Sequence, residues 1–148
     1  MVWGAFNRNG TGPIYRISGI MDRNIYVNEI CEGVLLPYSE EYLPLNWIFQ
    51  QDNDPKHTSS LAKDWFTRNK VNLLKWPAQS PDLNPIENLW RDLEKEVRKL
   101  RPTNLRELEQ AVMQGWHSIP VEWIRQLVDS MPRRCAAVIR NKGYPTKY

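Results

Sequence analysis

Two carboxylates, Asp52 and Glu87, stand where a chain could use them for chemistry. Asp52 follows the run Trp47-Ile48-Phe49-Gln50-Gln51, whose length and aromatic content predict a short buried strand. Glu87 falls in Asn84-Pro85-Ile86-Glu87, the predicted opening of a helix with Asn84 as N-cap and Pro85 as first helical residue. Sites in α/β folds collect at the carboxyl ends of strands. Carboxylates are the hard oxygen ligands that Mg²⁺ and Mn²⁺ prefer. One acid from a strand and one from a helix can converge on a metal pair ~3.5–4 Å apart and activate a water for in-line attack on phosphorus. Each acid also has a purely structural reading. Glu87 occupies the capping-box position after Asn84, and Asp52 beside Asn53 and Asp54 suits an Asx-turn.

The elements that would position them alternate in type. Val2 to Phe6 and Ile14 to Ile17 flank the turn-rich Asn9-Gly10-Thr11-Gly12-Pro13, which predicts a hairpin. A hairpin needs neighbours to bury its face, so its apolar edge is expected to drive self-association. Asp22 to Leu36 has helical spacing and is expected to stop at Pro37, with Asp22 as cap. Thr58 or Ser59 caps a helix with Leu61, Ala62, Trp65 and Phe66 on one face, and Val71 to Trp76 reads as a second short strand. After Glu87 the stripe Ile86, Leu89, Trp90, Leu93, Val97, Leu100 has clean helical spacing up to Pro102. Two more helices follow, with faces Leu105, Leu108, Val112, Trp116 and Trp123, Ile124, Leu127, Met131. Strands alternating with helices predict an α/β fold with a mixed sheet.

Composition narrows the class. With 148 residues, 41% hydrophobic and 25% charged, the chain has room for one domain and too much apolar content for disorder. The longest charge-free stretch, 110–121, is well short of the ~20 residues a membrane span needs, and the start MVWGAFNRNG has no signal-peptide pattern. Cys31 and Cys135 make neither a disulfide framework nor, with two histidines, a CxxC or HxxxH metal site. A reduced, intracellular, soluble domain is expected, without membrane contact. Residues 1–74 carry net charge −1 and residues 75–148 net +4. Beyond Met131 stand Arg133, Arg134, Arg140, Lys142 and Lys147 with no acid, which fits either a polyanion partner such as DNA or a solvated terminal helix.

Two long blocks carry a resemblance. Phe49-Gln50-Gln51-Asp52-Asn53-Asp54-Pro55-Lys56-His57-Thr58-Ser59 and Ser80-Pro81-Asp82-Leu83-Asn84-Pro85-Ile86-Glu87-Asn88-Leu89-Trp90 resemble the signature blocks of the Tc1/mariner transposases, the Tc1-like branch in particular. In that branch the second and third acids of the catalytic triad are separated by the 34 residues that separate Asp52 from Glu87 here. The opening Val2-Trp3-Gly4 and the stretch Asp129-Ser130-Met131-Pro132-Arg133-Arg134-Cys135 resemble the same group, so the likeness spans nearly the whole chain.

The resemblance implies a ribonuclease-H-like mixed sheet flanked by helices, with 1–100 as part of that core and 101–148 as C-terminal helices and basic tail of the same DDE catalytic domain. It implies Asp52 and Glu87 as catalytic, metal-holding acids, two Mg²⁺ or Mn²⁺ ions in the complete site, and Asn53 and His57 lining the cleft. His57 would sit beside the ligands or against DNA, and Asn84 and Asn88 would be cap and loop anchor. It implies DNA as partner, bound at transposon ends and at a TA target, and hence a nuclear location. Arg133, Arg134, Arg140 and Lys142 are the expected DNA contacts. The family's first acid belongs to a strand upstream of the Val-Trp-Gly hairpin and has no counterpart in these residues, where Asp22 reads as a cap. Two functions therefore stay open on the sequence: the C-terminal part of a cut-and-paste transposase, or a truncated or co-opted non-catalytic DNA-binding protein.

Overall fold

The computed structural model describes residues 1–78, 80–144 and 146–148. It forms two compact units, Met1–Trp3 with Tyr15–Gln79, and Gly4–Ile14 with Ser80–Tyr148. Strands β1 (Val2–Asn7) and β2 (Gly10–Arg16) make the expected hairpin. The turn is tighter than expected. Asn7 accepts the Asn9 amide at 2.7 Å, an Asx contact that reverses the chain at Arg8 and Asn9. Gly10 takes the positive φ of 147°, and Thr11, Gly12 and Pro13 are strand residues rather than turn.

In the first unit Asp22 is the cap expected of it, accepting the amides of Asn24 and Ile25 at 2.8 Å each. Helix α1 (Arg23–Ile25) then widens into a π-helix over Tyr26–Leu35 and returns to α geometry as α2 (Leu36–Tyr42). The expected stop at Pro37 does not occur. The helix runs through it: the Leu36 amide bonds the Cys31 carbonyl five residues back, so the turn that receives the proline ring is wound wider than an α-helix. Tyr26, Ile30, Cys31 and Leu35 pack with Phe49, Trp65 and Phe66 into one core. Cys31 and Cys135 are free thiols, and burial pushes Cys31 up to about 12.

Strand β3 (Ile48–Phe49) pairs in parallel with β4 (Asn72–Leu73), each shorter than the apolar runs predicted. Phe49 is buried against Phe66, whereas Ile48 is 63% exposed, so the strand is covered on one face only. Helix α3 (Ser60–Arg68) starts at Ser59, whose hydroxyl accepts the Ala62 amide at 3.2 Å, and buries Ala62, Trp65 and Phe66 as predicted.

In the second unit a 3₁₀ turn at Pro81–Leu83 leads into α4 (Ile86–Leu100), followed by α5 (Leu105–His117), α6 (Val121–Asp129) and α7 (Met131–Arg140). The indole of Trp90 stacks on that of Trp116 at 4.8 Å, and Trp116 donates to the Gly12 carbonyl at 3.0 Å. Helix α4 ends on a left-handed Arg101 just before Pro102. Its stripe is buried at Leu89, Leu93 and Val97 but not at Leu100. Leu105 and Leu108 are also exposed, against expectation. Trp116 is buried as expected and Val112 packs beside it. Ala111 and Gly115 are buried as well, and Gly115 admits close packing, since a Cβ there would meet Leu93 Cδ1 at 2.7 Å. Among the described residues no helix is long and apolar enough to cross a membrane.

Candidate functional site

Asp52 leaves β3 through Gln50 and Gln51 into a loop that the local sequence holds from several sides. The Asn53 amide donates to the Trp76 carbonyl at 2.9 Å, tying the loop to the segment after β4. Asp54 closes the next turn: its carbonyl accepts the amides of His57 and Thr58 at 2.9 and 3.1 Å. Its carboxylate takes the Lys56 amide at 3.0 Å and pairs with the Lys56 ammonium. Partial burial works against the charge of Asp54, yet the bonds and charge of Lys56 outweigh it and hold the carboxyl below its ordinary pKa.

The turn brings His57 back onto Asp52, with Nδ1 2.6 Å from Oδ1. The Asp54 amide donates to the same oxygen at 3.1 Å. Both bonds fall on Oδ1, so the carboxylate is fixed through one oxygen while its side chain stays 56% exposed. The His57 ring lies 4.3 Å from the ring of Tyr26, and Gln51 donates to the His57 carbonyl at 3.4 Å. The Tyr26 hydroxyl bonds the side chain of Gln51, and burial drives its pKa well above the ordinary phenol value. Nε2 of His57 is buried without a hydrogen-bond partner among the described residues. With the ring proton on Nδ1, the imidazole donates to Asp52 and turns a bare nitrogen lone pair inward.

Glu87 is exposed in the first turn of α4, where the helix dipole favours a negative charge. Asn84 is extended (φ −96°, ψ 100°) and Pro85 is already near helical geometry (φ −70°, ψ −12°), so the cap geometry is that read from the sequence although the regular helix begins at Ile86. Asn84 Oδ1 accepts the Ile86 amide at 3.4 Å and its carbonyl accepts the Glu87 amide at 3.3 Å.

Asp52 and His57 are thus brought together within the first unit, Asn53 is turned to the backbone of Trp76, and Glu87 belongs to the second unit. Among the described residues no group of three or more His, Cys, Asp or Glu is poised to hold a metal ion. The donor chemistry of the two acids is nevertheless that of a hard divalent cation: exposed carboxylate oxygens, with Asp52 oriented by a histidine.

The basic residues divide. Arg133, Arg140 and Lys142 are exposed. Arg134 is 2% exposed and its guanidinium is committed to the protein, donating to Ser130 Oγ, the Asp82 carbonyl and Asn88 Oδ1. Its charge is therefore not presented to solvent as expected from the sequence, whereas Asn88 is the loop anchor expected of it. A signal existed: Arg134 lies three residues after Met131 and three before Ala137, on the less exposed side of α7. Tyr26 fits the helical spacing of its segment, but nothing in its local sequence points to His57.

The fold is mixed α/β and matches that of the Mos1 mariner transposase catalytic domain, with TM-score 0.84 and 17% identity, covering 99% of this chain and 75% of that one. A Mos1 paired-end complex with Mn matches with TM-score 0.86 and 16% identity, covering 99% of this chain and 44% of that one. Residues 2–109 match the model of the DDE superfamily endonuclease family, and the chain belongs to that family. It is 50% identical over 148 residues to the Tcb1 transposase of Caenorhabditis briggsae, covering 100% of this chain and 54% of the relative. To the Tc1 transposase of Caenorhabditis elegans it is 49% identical, again over 100% of this chain and 54% of the relative. The chain thus spans about half the length of these relatives.

Proposed function

We propose that this chain is the C-terminal part of a cut-and-paste transposase catalytic domain, in which Asp52 and Glu87 hold divalent metal for cleavage and joining of DNA strands. The observation that carries the reading is the 50% identity to a transposase across all 148 residues, with both signature blocks intact and 34 residues between their acids. Solved Mos1 structures contain Mn or Mg, and others hold that transposase in paired-end or strand-transfer complexes. The non-catalytic alternative is disfavoured because neither block has lost its acid.

Mg²⁺ or Mn²⁺ held by these acids, two ions in the complete site, would lower the pKa of a water and offset charge on the attacking and leaving oxygens at phosphorus. The residues of this chain do the positioning. Asp52 offers a carboxylate whose rotation is fixed by His57 and the Asp54 amide, with Asn53 keeping its loop on the segment after β4. Glu87 offers a second acid from a helix start braced by Pro85 and Asn84. Arg133, Arg140 and Lys142 supply exposed positive charge for the phosphate backbone. Action on chromosomal DNA would place the protein in the nucleus.

The test joins the segment that precedes the matched region of the Tcb1 transposase to residue 1 and measures strand cleavage at a transposon end in Mg²⁺. Cleavage that disappears in both Asp52→Asn and Glu87→Gln supports the proposal. Cleavage that survives either substitution refutes it.

A further inference from the structure

Arg134 reaches from α7 to both sides of Glu87. One terminal nitrogen donates to the carbonyl of Asp82, five residues before Glu87, at 3.0 Å, and the other donates to Oδ1 of Asn88, the residue after it, at 2.9 Å. Nε donates to Ser130 Oγ at 2.8 Å, which fixes the fork on its own helix. The Tyr148 ring covers the guanidinium at 5.0 Å. The loop is held once more from the C-terminus, where the Thr146 hydroxyl donates to the Asp82 carboxylate at 2.9 Å. Burying an arginine is costly, and this one lies where its three donor directions each meet an oxygen.

The geometry points to Arg134 as a positioning residue for Glu87, clamping the 3₁₀ turn and the first turn of α4 so that the acid is presented in one orientation. The three bonds are directional and leave the clamp a single geometry. A lysine ammonium is a point charge without the guanidinium's fixed fork, so it does not reproduce the separate directions to the Asp82 carbonyl and the Asn88 amide. Neither partner is part of a helical hydrogen-bond ladder, so stability of α4 alone would not require them. What they constrain is the junction that delivers Glu87, and partners of this kind, acting behind a metal ligand, typically change metal affinity ~10–100-fold. This inference rests on the reading of Glu87 as a metal-holding acid.

The test measures Mn²⁺ binding to the 148-residue chain by electron paramagnetic resonance of the free ion, with thermal melting of each variant alongside. Arg134→Lys and Asn88→Leu are each expected to raise the Mn²⁺ Kd about 10-fold or more. Millimolar guanidinium, but not sodium, is expected to restore binding in Arg134→Ala. Should the arginine variants fail to fold, Asn88→Leu decides alone. A folded Asn88→Leu or Arg134→Lys with wild-type Mn²⁺ affinity overturns the clamp. Glu87→Gln separates the two readings. If it leaves Mn²⁺ binding intact, the role of Glu87 falls, and the clamp as a metal-site device falls with it. If it weakens binding while the clamp variants do not, only the positioning role of Arg134 is wrong.

Discussion

His57 Nδ1 lies 2.6 Å from Asp52 Oδ1, and the opposite nitrogen of the same ring is buried without a partner among the described residues. A histidine placed in this way has one polar contact to give, and it gives it to the candidate metal-holding acid. His57→Phe keeps a ring against Tyr26 and removes the hydrogen bond. Mn²⁺ affinity of the chain, measured by titration calorimetry, is expected to fall about 10–100-fold while the melting temperature holds. Unchanged affinity would mean that His57 serves packing alone.

Packing around the tryptophan stack sets a stability prediction. A Cβ on Gly4 would meet Trp90 Cη2 at 2.8 Å and Trp116 Cζ2 at 3.2 Å, both atoms of rigid rings that are stacked on each other. The Cβ of an alanine at 115 would meet only the movable end of Leu93. Gly4→Ala is therefore expected to destabilise by about 1–3 kcal/mol, and Gly115→Ala by less. Urea unfolding of the two variants gives the ranking, and the reverse order would contradict it.

DNA binding is expected to be weak and salt-sensitive. Exchanging Arg133, Arg140 and Lys142 together for glutamine should flatten the slope of log K against log salt by up to about 3, roughly one for each phosphate that is no longer neutralised. The buried Arg134 is not counted in this set. A slope unchanged on fluorescence anisotropy would move the DNA-binding surface elsewhere on the chain.

The β3–β4 pair bears on association. Neither strand has a further partner among the described residues, and Ile48, Leu73 and Leu74 are exposed. Parallel strands are normally covered on both faces, and open edges recruit other chains. The isolated chain is expected to self-associate on size-exclusion chromatography, and Ile48→Lys to shift it toward monomer. A wild-type chain that runs as a clean monomer at high concentration would contradict this.

Much of this molecule could be read locally. The caps at Asp22 and Ser59, the stop at Pro102 and the stripe Leu89, Leu93, Val97 each follow from a few neighbouring residues. The misreadings arise where a distant partner decides. Pro37 is tolerated because the preceding helix is wound as a π-helix, which no spacing rule announces. Leu105 and Leu108 lie outside although Val112 and Trp116 of the same stripe pack on the core, so periodicity gives the face but not how far along α5 it is covered. The site shows the same division. Asp52 and Glu87 stood out by motif and spacing, while the burial of Arg134 depends on Asp82 and Asn88, 52 and 46 residues away.

Whether Asp52 and Glu87 each hold divalent metal is tested most directly by replacing Mg²⁺ with Fe²⁺ on the 148-residue chain. Ascorbate and peroxide then generate hydroxyl radicals at the bound ion, and mass spectrometry maps the backbone scission. Cuts are expected beside Asp52 and beside Glu87, suppressed by excess Mg²⁺, with Asp52→Asn abolishing those beside residue 52 and Glu87→Gln those beside residue 87. Scission that falls elsewhere, or that persists beside an acid after that acid is replaced, would contradict its metal-holding role.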